Sequence, residues 1–194
     1  PHKTQGEGFF LAALRKPEED READTDLFSP KKKKSKGDTA ASPVSKENLA
    51  IAKSWLASSD EYNLLVNGTA ITAFPVYYQN DLALLRQSLR IVQAGTEVAE
   101  VKGKDLIPAH GLAMSRLLKT SVFPTEALTY EQAIAYLRKE AIVLPPSVPR
   151  GYVLVTYKEI PLGFVKNIGN RANNLYPQEW RIRSGYLPDD IRTL

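Results

Sequence analysis

The chain has 194 residues, 43% apolar and 25% charged, an ordinary globular balance, with a formal net charge of +4. It has no cysteine, which excludes disulfides, thiolate nucleophiles and cysteine-ligated zinc, and its two histidines, His2 and His110, do not form a metal-ligand spacing. Neither a long apolar run nor a secretory-type leader is present, so no membrane partner is expected and a reducing cytoplasm is the expected compartment.

Pro1 stands where a start methionine would be, and a fragment of a longer polypeptide is expected. Residues 6–16, GEGFFLAALRK, form an apolar run bounded by glycines and Pro17, which suits a buried strand. From 17 to 44 the composition turns to an acidic run, a KKKKSK run at 31–36, and Pro, Ser, Gly and Ala. Few large apolar groups are available there to offset the entropy of ordering, so a disordered charged linker is expected.

Ser45 reads as the N-cap of a helix over 46–58, with Leu49, Ala52 and Leu56 on one face. Asn67-Gly68 between two β-rich runs predicts a hairpin. A short helix over 81–87 follows, then strands in LRIVQAG and TEVAEVKG separated by Gly95, and a helix over 109–118 introduced by Pro108. Residues 45–120 thus read as a small α/β module. Lys102 and Lys104 suit a turn or an extension of a basic surface, and His110 reads as structural.

Pro124 marks a boundary, and Thr129 with Gln132 forms a capping box for a helix carrying Ile134, Leu137 and Ala141. YVLVTY and IPLGFV read as paired strands, although the intervening Lys158-Glu159 is poor turn chemistry because neither residue favours positive φ. A last strand is expected over 179–183. Short strands, turn signals and one helix predict a small β-barrel over 121–194. The fold class expected for the whole is α+β.

The charge is not evenly spread. Residues 150–183 hold Arg150, Lys158, Lys166, Arg171, Arg181 and Arg183 against Glu159 and Glu179, so this stretch carries the entire +4. A local basic excess mixed with Asn, Gly and aromatics suits a partner with phosphates and exposed bases. Within it, the loop KNIGNRANNLY is too rich in asparagine for a regular element. As an RNA contact, Lys166 and Arg171 would meet phosphates, Asn167, Asn170, Asn173 and Asn174 would reach base edges or 2′-hydroxyls, and Tyr176 would stack. As a structural loop, the same asparagines would satisfy turns. In WRIR, strand alternation would put Arg181 and Arg183 on one face and Trp180 with Ile182 on the other, with Trp180 in the core. No dinucleotide fingerprint, P-loop, nucleophile elbow or metal cluster is present, and on its residues the chain reads as one that binds.

Both ends of the chain resemble a known family. PHKTQGEGFFLAALRK resembles the last motif of the catalytic domain in the Sun/Nop family of RNA cytosine-C5 methyltransferases. GYVLVTY, IPLGFVKNIGN, RANNLYP and EWRIR resemble the PUA-like RNA-binding domain that ends the RsmF-type branch, and YNLLVNGTAITAFP, LRIVQAGTEVAEVKG and IPAHGLAMS resemble its first C-terminal domain. The resemblance implies a leftover strand of a Rossmann-like methyltransferase domain over 1–16, an α/β domain over 45–120 and a PUA-like domain over 121–194. It also implies a parent enzyme that uses S-adenosylmethionine to methylate cytosine C5 in small-subunit (16S) ribosomal RNA. The family's catalytic cysteines lie upstream of the Pro-His motif and have no counterpart here, so no catalytic residue and no cofactor site in this chain is implied. RNA positioning by Lys166, Asn167, Arg171, Asn173, Asn174, Arg181 and Arg183 is. The family's glycine-containing turn is replaced by Lys158-Glu159, which puts the tightness of that hairpin in question. Partners implied are ribosomal RNA and an upstream methyltransferase domain. Two other readings stand beside this one, a free-standing basic module docking an acidic protein and an enzyme of another type centred on the α/β module.

Overall fold

A computed structural model describes residues 44–183. The expected strand over 6–16 lies outside them, as does the expected linker except for Val44. The described residues are α+β, with four α-helices and two four-stranded sheets. Among them, no helix is long and apolar enough to cross a membrane, and no group of His, Asp or Glu side chains is placed to hold a metal.

The first half is built on an antiparallel meander. Helix α1 covers Lys46–Ser54, and the Ser45 hydroxyl accepts from the Asn48 N–H as the expected N-cap. It ends four residues sooner than the apolar spacing suggests, at Trp55, whose side chain turns into the core. Strands β1 (Tyr62–Asn67) and β2 (Ala70–Pro75) form the expected hairpin. The corner is Gly68-Thr69 rather than Asn67-Gly68, since Asn67 already pairs with Ala70. Gly68 at φ +60° supplies the positive φ that the first corner position of a II′ turn requires. Helix α2 spans Gln79–Ser88, and β3 (Thr96–Lys102) and β4 (Asp105–Pro108) complete the sheet in the order β1-β2-β3-β4.

Two expectations fail in this half. LRIVQAG is not a strand. Strand β3 is already flanked by β2 and β4, so residues 89–95 have no ladder to join there, and Val92 is 95% exposed. The helix expected over 109–118 is a single turn, α3 (His110–Ala113). Past it, the Ser115 hydroxyl donates to the Leu112 carbonyl and accepts from the Leu117 N–H, competing with helical bonding.

The second half has sheet order β5-β6-β7-β8, comprising β5 (Thr125–Ala127), β6 (Gly151–Tyr157), β7 (Ile160–Asn167) and β8 (Ala172–Asn174). Strand β5 runs parallel to β6 and the others are antiparallel, with no ladder closing the sheet into a barrel among the described residues. Helix α4 (Tyr130–Leu137) carries the full capping box between Thr129 and Gln132. Its buried residues are Ala133 and Tyr136, one step from the expected face, and it ends before Ala141, with Lys139 at φ +68° just past its C-cap.

The β6–β7 hairpin explains why YVLVTY shows no alternation. On one face Leu154 and Phe164, paired across the ladder, join a core with Phe123 and with Trp55, Ile71, Val98 and Leu112 from the first half. On the other, Val153, Val155 and Val165 join Ala133, Tyr136 and Ile142. A strand buried on both sides reads as a continuous apolar run. Trp55, Phe123 and Phe164 stack in sequence at centroid distances of 5.1 and 4.9 Å, tying the two halves together. Such pairs add about 0.5–1.5 kcal/mol each beyond area burial.

Candidate nucleic-acid interface

The loop singled out by its asparagines is the β7–β8 connection, and it contains more regular structure than expected. Asn167 ends β7, while Asn173 and Asn174 lie in β8. The Ile168 N–H donates to the Arg171 carbonyl at 3.0 Å to close the turn. Asn167 is buried. Its amide donates to the carbonyls of Val148 (3.0 Å) and Pro149 (3.1 Å), and its Oδ1 accepts from the Gly169 N–H at 3.0 Å. Asn174 donates to the carbonyls of Tyr136 (2.7 Å), in the last turn of α4, and of Glu140 (2.9 Å), just past it, and accepts from the Tyr176 N–H at 2.9 Å. Both side chains hold the loop rather than face solvent.

Lys166 and Tyr176 are engaged as well. Lys166 Nζ donates to Asp105 Oδ2 at 2.6 Å, a bond that raises its pKa, and lies 5.5 Å from the Tyr152 ring. The pair joins β7 to β4. Tyr176 packs edge to face on His110 at 5.1 Å and on Tyr136 at 5.5 Å.

The remaining predicted residues are open. Asn170, Arg171 and Asn173 are exposed around the turn. Arg150 joins them, for a Cβ on Gly169 would sit 3.0 Å from its Nε and Nη2, and Gly169 at φ +103° leaves the guanidinium that room. Arg150 opens the basic stretch, and its place beside the turn is set by a residue 19 positions on, which no local pattern encodes. Arg181 and Arg183 are also exposed, but no strand places them on a common face. Gln178–Trp180 is a 3₁₀ turn, and the Ile182 N–H donates to the Leu137 carbonyl at 2.9 Å instead of to a ladder. Trp180, expected in the core, is 63% exposed. The ion pairs among the described residues are Lys53–Asp60 and Lys166–Asp105, and Arg150, Arg171, Arg181 and Arg183 belong to neither.

A cleft of about 700 Å³ lies between the first sheet and the segment after β8. Glu97, Lys102 and His110 line one side, and Lys139, Glu179 and Trp180 the other. His110 Nδ1 is buried with no hydrogen-bond partner among the described residues, and burial lowers the ring's pKa. Burial raises the pKa of Glu97, helped by the nearby Glu100 charge. Lys139 donates to the Tyr176 carbonyl, and burial lowers its pKa against the pull of Glu179. Sequence reasoning missed this cleft, since its walls come from stretches some 70 residues apart.

The second half thus combines a capped helix and a hairpin with a basic, asparagine-rich connection at one end. Residues 123–182 match the family described as the methyltransferase RsmF PUA domain. Over nearly its whole length the chain is similar to part of ribosomal RNA small subunit methyltransferase F proteins. It is 28% identical to that of Enterobacter sp. (strain 638) over 188 residues, covering 93% of this chain and 36% of the relative. It is 29% identical to that of Aliivibrio fischeri (strain MJ11) over 195 residues, covering 96% of this chain and 38% of the relative. The chain therefore spans a little over a third of the length of the curated relatives it matches.

Proposed function

We propose that this chain is the RNA-binding C-terminal portion of an S-adenosylmethionine-dependent methyltransferase acting on cytosine C5 of small-subunit ribosomal RNA. In this reading residues 121–194 hold the RNA while an upstream domain carries the cofactor and the chemistry. The observation that carries it is the cluster of Arg150, Asn170, Arg171 and Asn173, exposed and with no carboxylate partner among the described residues, at one end of a domain that matches the RsmF PUA family. Guanidinium groups there meet phosphates, and the two exposed amides offer donors and acceptors to base edges or 2′-hydroxyls. Arg181 and Arg183 extend the positive surface. Lys166, Asn167, Asn174 and Tyr176 act from behind, by fixing the turn that presents the others.

The test is titration of the chain with small-subunit ribosomal RNA fragments at several salt concentrations. Each phosphate contact steepens the dependence of log affinity on log salt by about 0.9 on duplex and about 0.7 on single strands. Charge reversal at Arg150 and Arg171 should weaken binding at low salt and flatten that slope by about 1.5. A slope near zero in the unaltered chain, or equal affinity after reversal, would sink the proposal, and binding of an acidic protein instead would favour the rival docking role.

A further inference from the structure

The cleft between the first sheet and the segment after β8 has features that the basic turn lacks. Its volume of about 700 Å³ falls in the range of pockets that enclose a small organic group. Trp180 stands at one wall with 63% of its surface exposed, and its contact with His110 is edge to face, at 5.4 Å and 75°. Such a contact covers at most one indole face, and the exposed surface of the ring is what a flat partner would stack on. An aromatic of this size left open beside a cavity forgoes the burial that usually stabilises tryptophan.

The polar groups select among flat partners. Glu97, Glu100 and Glu179 outnumber Lys102 and Lys139 on the lining, so a phosphate is repelled from the interior. A neutral ring is not. The Glu97 carboxylate on the wall accepts hydrogen bonds and therefore favours a ring edge that donates them. Cytosine, adenine and guanine each carry an exocyclic amino group, whereas uracil places a carbonyl oxygen at the position of the cytosine amine. Lys102 at the lining and Arg181, next to Trp180 in the chain, are left for flanking phosphates.

We propose that this cleft receives one unstacked nucleobase bearing an exocyclic amino group, stacked on Trp180 with its amine toward Glu97. The proposal rests on the RNA reading above and adds a second, base-selective contact to the phosphate-binding turn.

The test uses the full chain and four single-stranded RNA oligomers that differ at one central position, cytosine, adenine, uracil or an abasic site. Binding is read by affinity and by the indole N–H resonance of Trp180, assigned by its loss in Trp180→Phe. The cytosine and adenine oligomers should bind about tenfold more tightly than the abasic one and shift that resonance. Trp180→Ala should remove the gain, and Glu97→Gln should erase the preference over uracil while the salt slope is unchanged. Trp180 is exposed, so its replacement leaves the core intact. If the abasic oligomer binds as well as the others and the resonance stays put, the pocket proposal is overturned and the RNA reading survives. If no oligomer binds even at low salt, both fall. A shift produced by a lysine- or arginine-rich peptide and by none of the RNAs would assign the cleft to a cationic protein segment and overturn the proposal.

Discussion

An asparagine side chain has two N–H donors and one carbonyl oxygen, and the groups they meet decide whether it can serve a ligand. Asn167 and Asn173 are six residues apart in one loop, yet the first donates twice and accepts once inside the protein while the second is exposed. Replacing Asn167 with alanine would leave the Val148 and Pro149 carbonyls without their donor at a partly buried site and release the Gly169 N–H. A loss of about 2–3 kcal/mol in urea unfolding is expected. Asn173→Ala should stay within about 0.5 kcal/mol of the unaltered chain in the same measurement and act on RNA affinity alone. Equal stabilities for the two variants would contradict the division of the loop into supporting and presenting residues. Composition marks the loop as unusual, but it cannot assign these roles, because the carbonyls that Asn167 and Asn174 donate to come from residues 136–149, outside the loop.

At the scale of elements, much of the fold was legible wherever a local chemical signal exists. The Ser45 cap, the Thr129–Gln132 box and the glycine corner of the β1–β2 hairpin each act within four residues and appear as expected apart from a one-residue shift at the corner. Strands β5 and β8 have three residues each, too few to show a period, and exist only as edges supplied to β6 and β7. The alternation in WRIR and the apolar run at 89–95 are equally compatible with strands, and neither joins a ladder in the structure. The Lys158-Glu159 corner shows the opposite error. Its chemistry argues against a tight turn, yet Tyr157 pairs with Ile160, and Lys158 and Glu159 take φ of +47° and +67°. Burial of both faces of the hairpin imposes the turn on residues that disfavour it. Left-handed backbone costs an ordinary residue about 1 kcal/mol, so Lys158→Asn combined with Glu159→Gly should raise unfolding free energy by about 1–2 kcal/mol. Thermal or denaturant unfolding reads this directly, and a destabilised double variant would show that the corner is not strained.

For the molecule as a whole, the place where the two halves meet beneath the cleft sets a pH dependence. Gly163 in β7 has φ +143°, and a Cβ on it would lie 2.2 Å from the Tyr136 hydroxyl and 2.9 Å from His110 Nδ1. The missing side chain lets Tyr136 reach the Phe164 carbonyl at 3.3 Å and lets the His110 ring, from the first half, insert between Tyr176 and Trp180. Burial there disfavours the imidazolium, so the folded-state pKa of His110 lies below the ordinary value of 6.5. Above pH 6.5 the ring is neutral folded and unfolded, and its contribution to stability is fully present. As pH falls from 6.5 toward the folded-state value, the unfolded chain takes up the proton first and stability is lost. The slope in that window approaches at most about 1.4 kcal/mol per pH unit. Glu97, with a raised pKa, acts in the opposite sense, because the folded state holds its proton more tightly, so acidification favours folding at that group. The contribution of His110 is therefore isolated by difference. Denaturant unfolding at about pH 7.5 and about pH 5.5 should show a smaller pH-dependent loss in His110→Gln than in the unaltered chain, since glutamine occupies the site without titrating. An identical loss in both proteins would mean that the buried imidazole does not couple protonation to the packing of the two halves.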